Sequence, residues 1–230
     1  MIDVYYMDIN EETGGDLYEK LLGACAPGKR EEAEQYVREA DRRRTVYGEA
    51  LSRYMIAKRT GMRMRDIEIG RNPYGKPFVQ GDGDLHYNVS HSGSLVACGL
   101  DRQAIGIDVE QVQNIDMVLA EQFFHIREYS YILSREFGQR MNALYDFWTL
   151  KESYVKYLGV GLYMPLNSFY FSIDGPSVTL NAKDSVSPYF QRCHIREQYK
   201  LAVCTGRPVP VRLQQLSLHE IIVHIDRESG

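Results

Sequence analysis

Two stretches of this chain rhyme, and the rhyme narrows the folds open to it. In each, a long helix-favouring run ends at a glycine (Gly61, Gly159) and a turn with proline follows (Pro77, Pro165). Strand-like runs then close on LVACG from Leu95 and LAVCT from Leu201. An echo of this length points to two α+β halves of similar build, residues 1–102 and 103–230, joined near Asp101–Ala104. Taken alone, it does not separate a duplication from the rhymes any α+β chain carries.

The chain has 230 residues, 44% of them hydrophobic and 25% charged, enough to bury a sizeable core and too apolar for disorder. A net charge of -4 argues against bulk nucleic-acid binding, which favours an excess of Lys and Arg. Basic surface is expected to be local. Between Arg38 and Arg65 lie nine basic residues against three acids, giving the first half a positive face. Cys25, Cys98, Cys193 and Cys204 form no C-x-x-C pair and read as reduced, mostly buried thiols. The opening MIDVYYMDINEE lacks the layout of a signal peptide, and no apolar run reaches the ~18 residues of a membrane span. A cytoplasmic protein with no membrane or nucleic-acid partner is expected.

Alternation predicts a strand at Val4–Ile9, and composition predicts one helix from about Glu31 to Arg59 with Gly61 as its stop. LHYNVSH and SLVACGL form a hairpin through Ser92 and Gly93, and AIGIDVE is a further strand. Helices are expected from Asn114 to about Leu133 and from about Met141 to Leu158. Strands resume at SFYFSI, SVTLNA, YFQRCHI and KLAVCTG, and the tail frays from about Asp226.

In GIDVE, alternation puts Ile105, Ile107 and Val109 on one face and Gly106, Asp108 and Glu110 on the other. The two carboxylates then stand ~7 Å apart along the strand. Such a pair repels, and a hard divalent cation relieves the repulsion. From D-x-E alone, two surface acids on a solvated edge are the simpler account. In FWTLKESYVKYLGVGL, Trp148, Glu152 and Lys156 recur every four residues and share one side of a helix, with Lys151 on another. Alone, this is a core Trp with a surface Glu-to-Lys pair worth ~0.2–0.5 kcal/mol. Ser90 and His91 in NVSHSG sit at a strand end before a glycine turn, where side chains and freed N–H groups can meet a phosphate. Adjacent strand residues point to opposite faces, so the two make a poor nucleophile and base pair. His86, His125, His194, His219 and His224 show no metal-ligand spacing.

Together, NVSHSG at 88–93, GIDVE at 106–110 and FWTLKESYVKYLGVGL at 147–162 resemble the 4′-phosphopantetheinyl transferase superfamily. The R-T-x-x-G segment Arg44–Gly48, the YGKP turn at 74–77 and FFHIREY at 123–129 resemble its two-subdomain, surfactin-synthetase-activating type. The resemblance covers residues 40 to 205 or so and implies an α+β pseudo-twofold fold with the active site in the cleft between halves. It implies magnesium ligands at Asp108, Glu110 and Glu152, and coenzyme A as co-substrate. Lys156 falls at the pyrophosphate-contacting lysine, and Ser90, His91 and Arg44 at phosphate-binding positions. Gly75, Lys76 and Pro77 match the turn beside the adenine, Asn88 belongs to the same coenzyme-binding block, and Arg38 is a looser phosphate match. His125 stands where the family carries a small polar residue.

The activity so implied moves the phosphopantetheine arm of coenzyme A onto a carrier-protein serine. Glu152 acts as base, Lys156 steadies the leaving group, and Asp108 and His91 complete the catalytic set. The first half would hold the coenzyme, and the second the metal ligands and an acyl or peptidyl carrier protein, around Phe123–Tyr131. A pseudo-dimer of this kind is expected to work as a monomer, in secondary metabolism. Two rivals stand beside it: a non-catalytic coenzyme A-binding module, and a magnesium-dependent pyrophosphohydrolase.

Overall fold

The computed structural model describes residues 1–10, 15–183 and 187–229. Its first half runs β1 (Ile2–Asp8), α1 (Gly15–Ala24), α2 (Pro27–Gln35), α3 (Glu39–Thr60), β2 (Ile69–Arg71), β3 (Pro77–Val79), β4 (His86–Ser92) and β5 (Leu95–Asp101). The second runs β6 (Ile105–Gln111), α4 (Met117–Phe123), α5 (Ile126–Ser134), α6 (Arg140–Leu158), β7 (Tyr170–Asp174), β8 (Ser177–Asn181), β9 (Tyr189–Cys193) and β10 (Tyr199–Thr205). Two elements follow, β11 (Val211–Gln215) and α7 (Leu218–Ser229).

The two halves repeat one α+β plan. The last strand lies between the first and the next-to-last in both sheets, β1-β5-β4 in one and β6-β10-β9 in the other, and all four pairings are antiparallel. A two-stranded ribbon follows the long helix in each, β2-β3 and β7-β8. The long helices also end alike: Gly61 and Gly159 adopt the left-handed conformation and cap back to Ala57 and Val155. Glycine takes that conformation without the Cβ clash other residues meet.

Strand alternation sorts the apolar side chains into three cores. Met7, Val96 and Cys98 pack with Tyr47, Leu51 and Ile56 of α3 on the outer face of the first sheet. Ala202 and Cys204 pack with Phe147 and Leu150 of α6 on the outer face of the second. Between them, Val4, Leu95 and Ala97 meet Ile105, Ile107 and Val109, so the inner faces bury one another. The layers run helix, sheet, sheet, helix. All four cysteines are free; Cys25, Cys98 and Cys204 are buried and Cys193 half-buried.

Three expectations are corrected. The helix expected over Glu31–Arg59 is two: the chain turns extended at Tyr36 and Arg38, so α2 folds back on α3 and buries Ala33 in the first core. Helix-favouring composition is a weak preference that such burial overrides. The helix expected over Asn114–Leu133 breaks at Phe124, which is extended and buried, and at His125, which caps α5. The tail expected to fray is helical to Ser229, because Leu218, Ile221 and Ile222 dock on the first core. Asp226 pairs with Lys20 at 2.7 Å, and Glu228 accepts from the Met64 N–H at 2.9 Å. Missed altogether was β11, which pairs parallel with β1, so the first sheet takes strands from both ends of the described chain. Among the described residues no helix is long and apolar enough to cross a membrane.

Candidate active site at the seam between the halves

β6 is the edge strand of its sheet, and its inward side chains end in the middle core while the opposite set turns to α6. Gly106 makes that approach possible. A Cβ there would lie 2.9 Å from the Tyr157 Cα and closer still to the Ser153 carbonyl and the Tyr157 nitrogen. The helix therefore rests on the strand at backbone distance, and Glu152 and Lys156 stand beside Asp108 and Glu110. The division of GIDVE by alternation holds in the structure.

Asp108 is almost fully buried, and its Oδ1 accepts from Lys156 Nζ at 2.6 Å and from Ser90 Oγ at 2.9 Å. Its Oδ2 is buried with no hydrogen-bond partner. Lys156 Nζ also donates to Ser90 Oγ at 3.0 Å. Glu110 accepts from Ser92 Oγ at 2.6 Å. Burial drives all three acids upward. Glu110 reaches about 7 through burial, then the charge of Asp108, with Glu152 adding a smaller push. Glu152 rises through burial and Asp108, opposed by Lys156. Among the described residues, no three His, Cys, Asp or Glu side chains stand at metal-holding spacing.

On the first-half side, Arg44, Pro77 and His91 line one cavity of about 440 Å3, together with Lys29, Tyr36 and Arg71, which sequence reasoning did not single out. Arg44 donates to the Gly93 carbonyl at 2.7 Å and pairs with Asp41. Surrounding protein, with Lys156 and Arg44 nearby, holds His91 below the usual imidazole value. Arg38 is exposed as the N-cap residue of α3. The expected positive face is narrower than its composition: Arg53 turns inward, pairing with Glu49 at 2.6 Å and donating to the Met64 and Ile67 carbonyls.

The turn Asn72–Pro77 straps the halves together. Gly75 turns at φ 89°, and Lys76 Nζ donates to the carbonyls of Ile105, Lys156 and Tyr157 at 3.0, 2.6 and 3.1 Å. Asn72 donates to the Gly159 carbonyl at 3.0 Å. Asn88 is buried, its Oδ1 accepting from the Ile107 N–H at 2.7 Å. In the second half, Phe124 is core, whereas Val118, Phe123 and Ile126 are exposed, and Phe123 packs edge-on against Trp148. His125 caps α5: its ring accepts from the Arg127 N–H, and Glu128 reaches back to cap the His125 N–H. Ser92, also not singled out, could have been found from the alternate-residue series Asn88, Ser90, Ser92, and the close approach of α6 from Gly106.

Two family models cover the chain: residues 16–101 match the 4′-phosphopantetheinyl transferase N-terminal family and residues 104–204 the 4′-phosphopantetheinyl transferase superfamily. The 4′-phosphopantetheinyl transferase Sfp of Bacillus subtilis strain 168 is 35% identical over 208 residues, 89% of this chain and 92% of that one. The 4′-phosphopantetheinyl transferase gsp of Aneurinibacillus migulanus is 32% identical over 208 residues, covering 89% and 86%. The L-aminoadipate-semialdehyde dehydrogenase-phosphopantetheinyl transferase of Rattus norvegicus is 23% identical over 219 residues, covering 84% and 71%. With an identity of this order sustained across nearly the whole length of the bacterial relatives, the chain belongs to the 4′-phosphopantetheinyl transferase superfamily, in its Sfp-like type.

Proposed function

We infer that this protein transfers the 4′-phosphopantetheine arm of coenzyme A to a serine of an acyl or peptidyl carrier protein, releasing adenosine 3′,5′-bisphosphate. The observation that carries the reading is the meeting of three distant segments at one carboxylate: Asp108 with Ser90 and Lys156, 18 and 48 positions away. The first half, closed by β11 and α7, holds the coenzyme, and the second supplies the acids.

The charge of the acids, rather than their present spacing, suits a divalent cation. Asp108 Oδ2 is buried without a partner, and the charge of Asp108 pushes Glu110 and Glu152 up, a cost that a cation would relieve. Asp108, Glu110 and Glu152 would hold magnesium, which when bound supplies charge neutralisation for the pyrophosphate. Glu152, its affinity for a proton raised by burial, takes the proton of the attacking serine, directly or through a water. Lys156, one helical turn on, steadies the departing bisphosphate once it leaves Asp108. Arg44 and His91 face the coenzyme's phosphates from the cavity wall, with Arg38 at its approach. Gly75, Lys76 and Pro77 shape the adenine side, Lys76 through the strap rather than a free ammonium. Asn88 and Ser90 serve this site as its frame. The exposed apolar group Val118, Phe123 and Ile126 offers the carrier a docking face. The reading extends to a cytoplasmic monomer acting on secondary-metabolite carriers.

Intact mass spectrometry of apo carrier proteins, incubated with this protein, coenzyme A and magnesium, tests it. A gain of one phosphopantetheine is expected, lost when the acceptor serine is replaced and lost in Glu152→Gln with the circular dichroism unchanged. Coenzyme A cleavage without carrier would establish the pyrophosphohydrolase instead. Binding without cleavage would establish the non-catalytic module.

A further inference from the structure

β6 has β10 on one side, and on the other it has side chains in place of a strand. Its N–H groups at Ile107, Val109 and Gln111 donate to Asn88 Oδ1, Ser90 Oγ and Ser92 Oγ of β4, at 2.7, 3.2 and 3.1 Å. Every second residue of β4 thus meets every second N–H of β6, in step and in the same chain direction. An edge strand left bare would carry unpaired donors into the middle of the molecule.

The two serines go one step further than the asparagine. A backbone N–H can only donate, so a hydroxyl that accepts from it must send its own proton elsewhere. Ser90 sends it to Asp108 Oδ1 and Ser92 to Glu110 Oε2, at 2.9 and 2.6 Å. In each case the carboxylate belongs to the residue just before the bonded N–H. The backbone of β6 therefore fixes the serine, and the serine fixes a carboxylate on that same strand.

We propose that Ser90 and Ser92 are positioning residues that lock the Asp108 and Glu110 carboxylates in place through hydroxyls clamped to the Val109 and Gln111 N–H groups. Asn88, lacking a carboxylate opposite, only closes the ladder. Both serines belong to the frame of the acid cluster, and their catalytic consequence rests on the transferase reading. Ser92 is the cleaner test, because Ser90 also accepts from Lys156.

Ser92→Ala and Ser92→Thr are compared with the parent by amide hydrogen exchange, by Mn2+ binding followed by electron paramagnetic resonance, and by transfer kinetics. In Ser92→Ala, exchange at Gln111 is expected to quicken while Ile107 and Val109 hold. Mn2+ affinity and kcat are expected to fall ~10-fold or more, with KM for coenzyme A little changed, the size typical of a lost partner behind a metal ligand. Ser92→Thr, which keeps the hydroxyl, is expected to restore all three. Unchanged exchange at Gln111 would overturn the geometry. Faster exchange with undiminished Mn2+ affinity and kcat would overturn the positioning role and leave a purely structural bond. If Ser92→Ala does not fold, Ser92→Cys, a near-isostere with a weak donor and acceptor, is read by the same measures. If no transfer is found in the parent protein, exchange and Mn2+ binding still decide the ladder and its effect on the acids, separately from the activity.

Discussion

Gly106 has no side chain and yet sets where two side chains of α6 can reach. Its hypothetical Cβ collides with backbone rather than with a flexible side-chain end, so nothing local can give way. Gly106→Ala is expected to push α6 off β6, costing about 1–3 kcal/mol or more in urea unfolding. It should abolish transfer, because Glu152 and Lys156 move with the helix. Full activity at unchanged stability would mean that the contact is looser than it stands. The sequence carried half of this: alternation in GIDVE correctly divided the strand into a core face and an acid face. It could not reveal the glycine's purpose, because the atoms it makes room for lie far down the chain. Ser92 was passed over for the same reason, since a serine before a turn looks ordinary until the strand beside it is known.

At the scale of elements, one buried ion pair organises the neighbourhood of α6. Glu128 of α5 and Lys151 of α6 are 2.8 Å apart with neither side chain exposed. Lys151 also donates to the Leu166 and Phe169 carbonyls at 2.7 Å each, and Glu128 accepts from the Phe171 N–H at 2.8 Å. Burial opposes both charges, and their attraction offsets it only in part, leaving Glu128 above and Lys151 below their usual values. Lys151→Met is expected to cost about 3–5 kcal/mol in denaturant unfolding, because it strands a carboxylate in the core. Adding Glu128→Gln should recover part of that loss, an outcome that a merely additive pair would not give. The sequence placed Lys151 on a different side of the helix from Glu152 and went no further, since the partner is in another helix. Long, uniform elements such as α6 were legible; the breaks at Tyr36 and Phe124 were not, because burial by distant surfaces decides them.

For the molecule as a whole, the echo that the sequence alone could not tell from chance recurs in strand order, while the joint between the halves rests on contacts no motif announces. Lys76 is one of them. Burial lowers its amine to about 8, from 10.5 for a free lysine. Between those values an unfolded chain keeps a proton that the folded protein has released, so stability rises with pH across the window. Lys76→Met is expected to flatten that rise, measured by urea titrations at intervals between about pH 8 and 10.5; an unaltered slope would assign it to another group. The return of β11 and α7 to the first sheet has a consequence for synthesis. Leu216, Leu218, Ile221 and Ile222 belong to the same core as Met7 and Leu21. On the ribosome, then, the half made first cannot be finished first: β1 waits for a neighbour translated some two hundred codons later, and its core closes only after the second half has emerged.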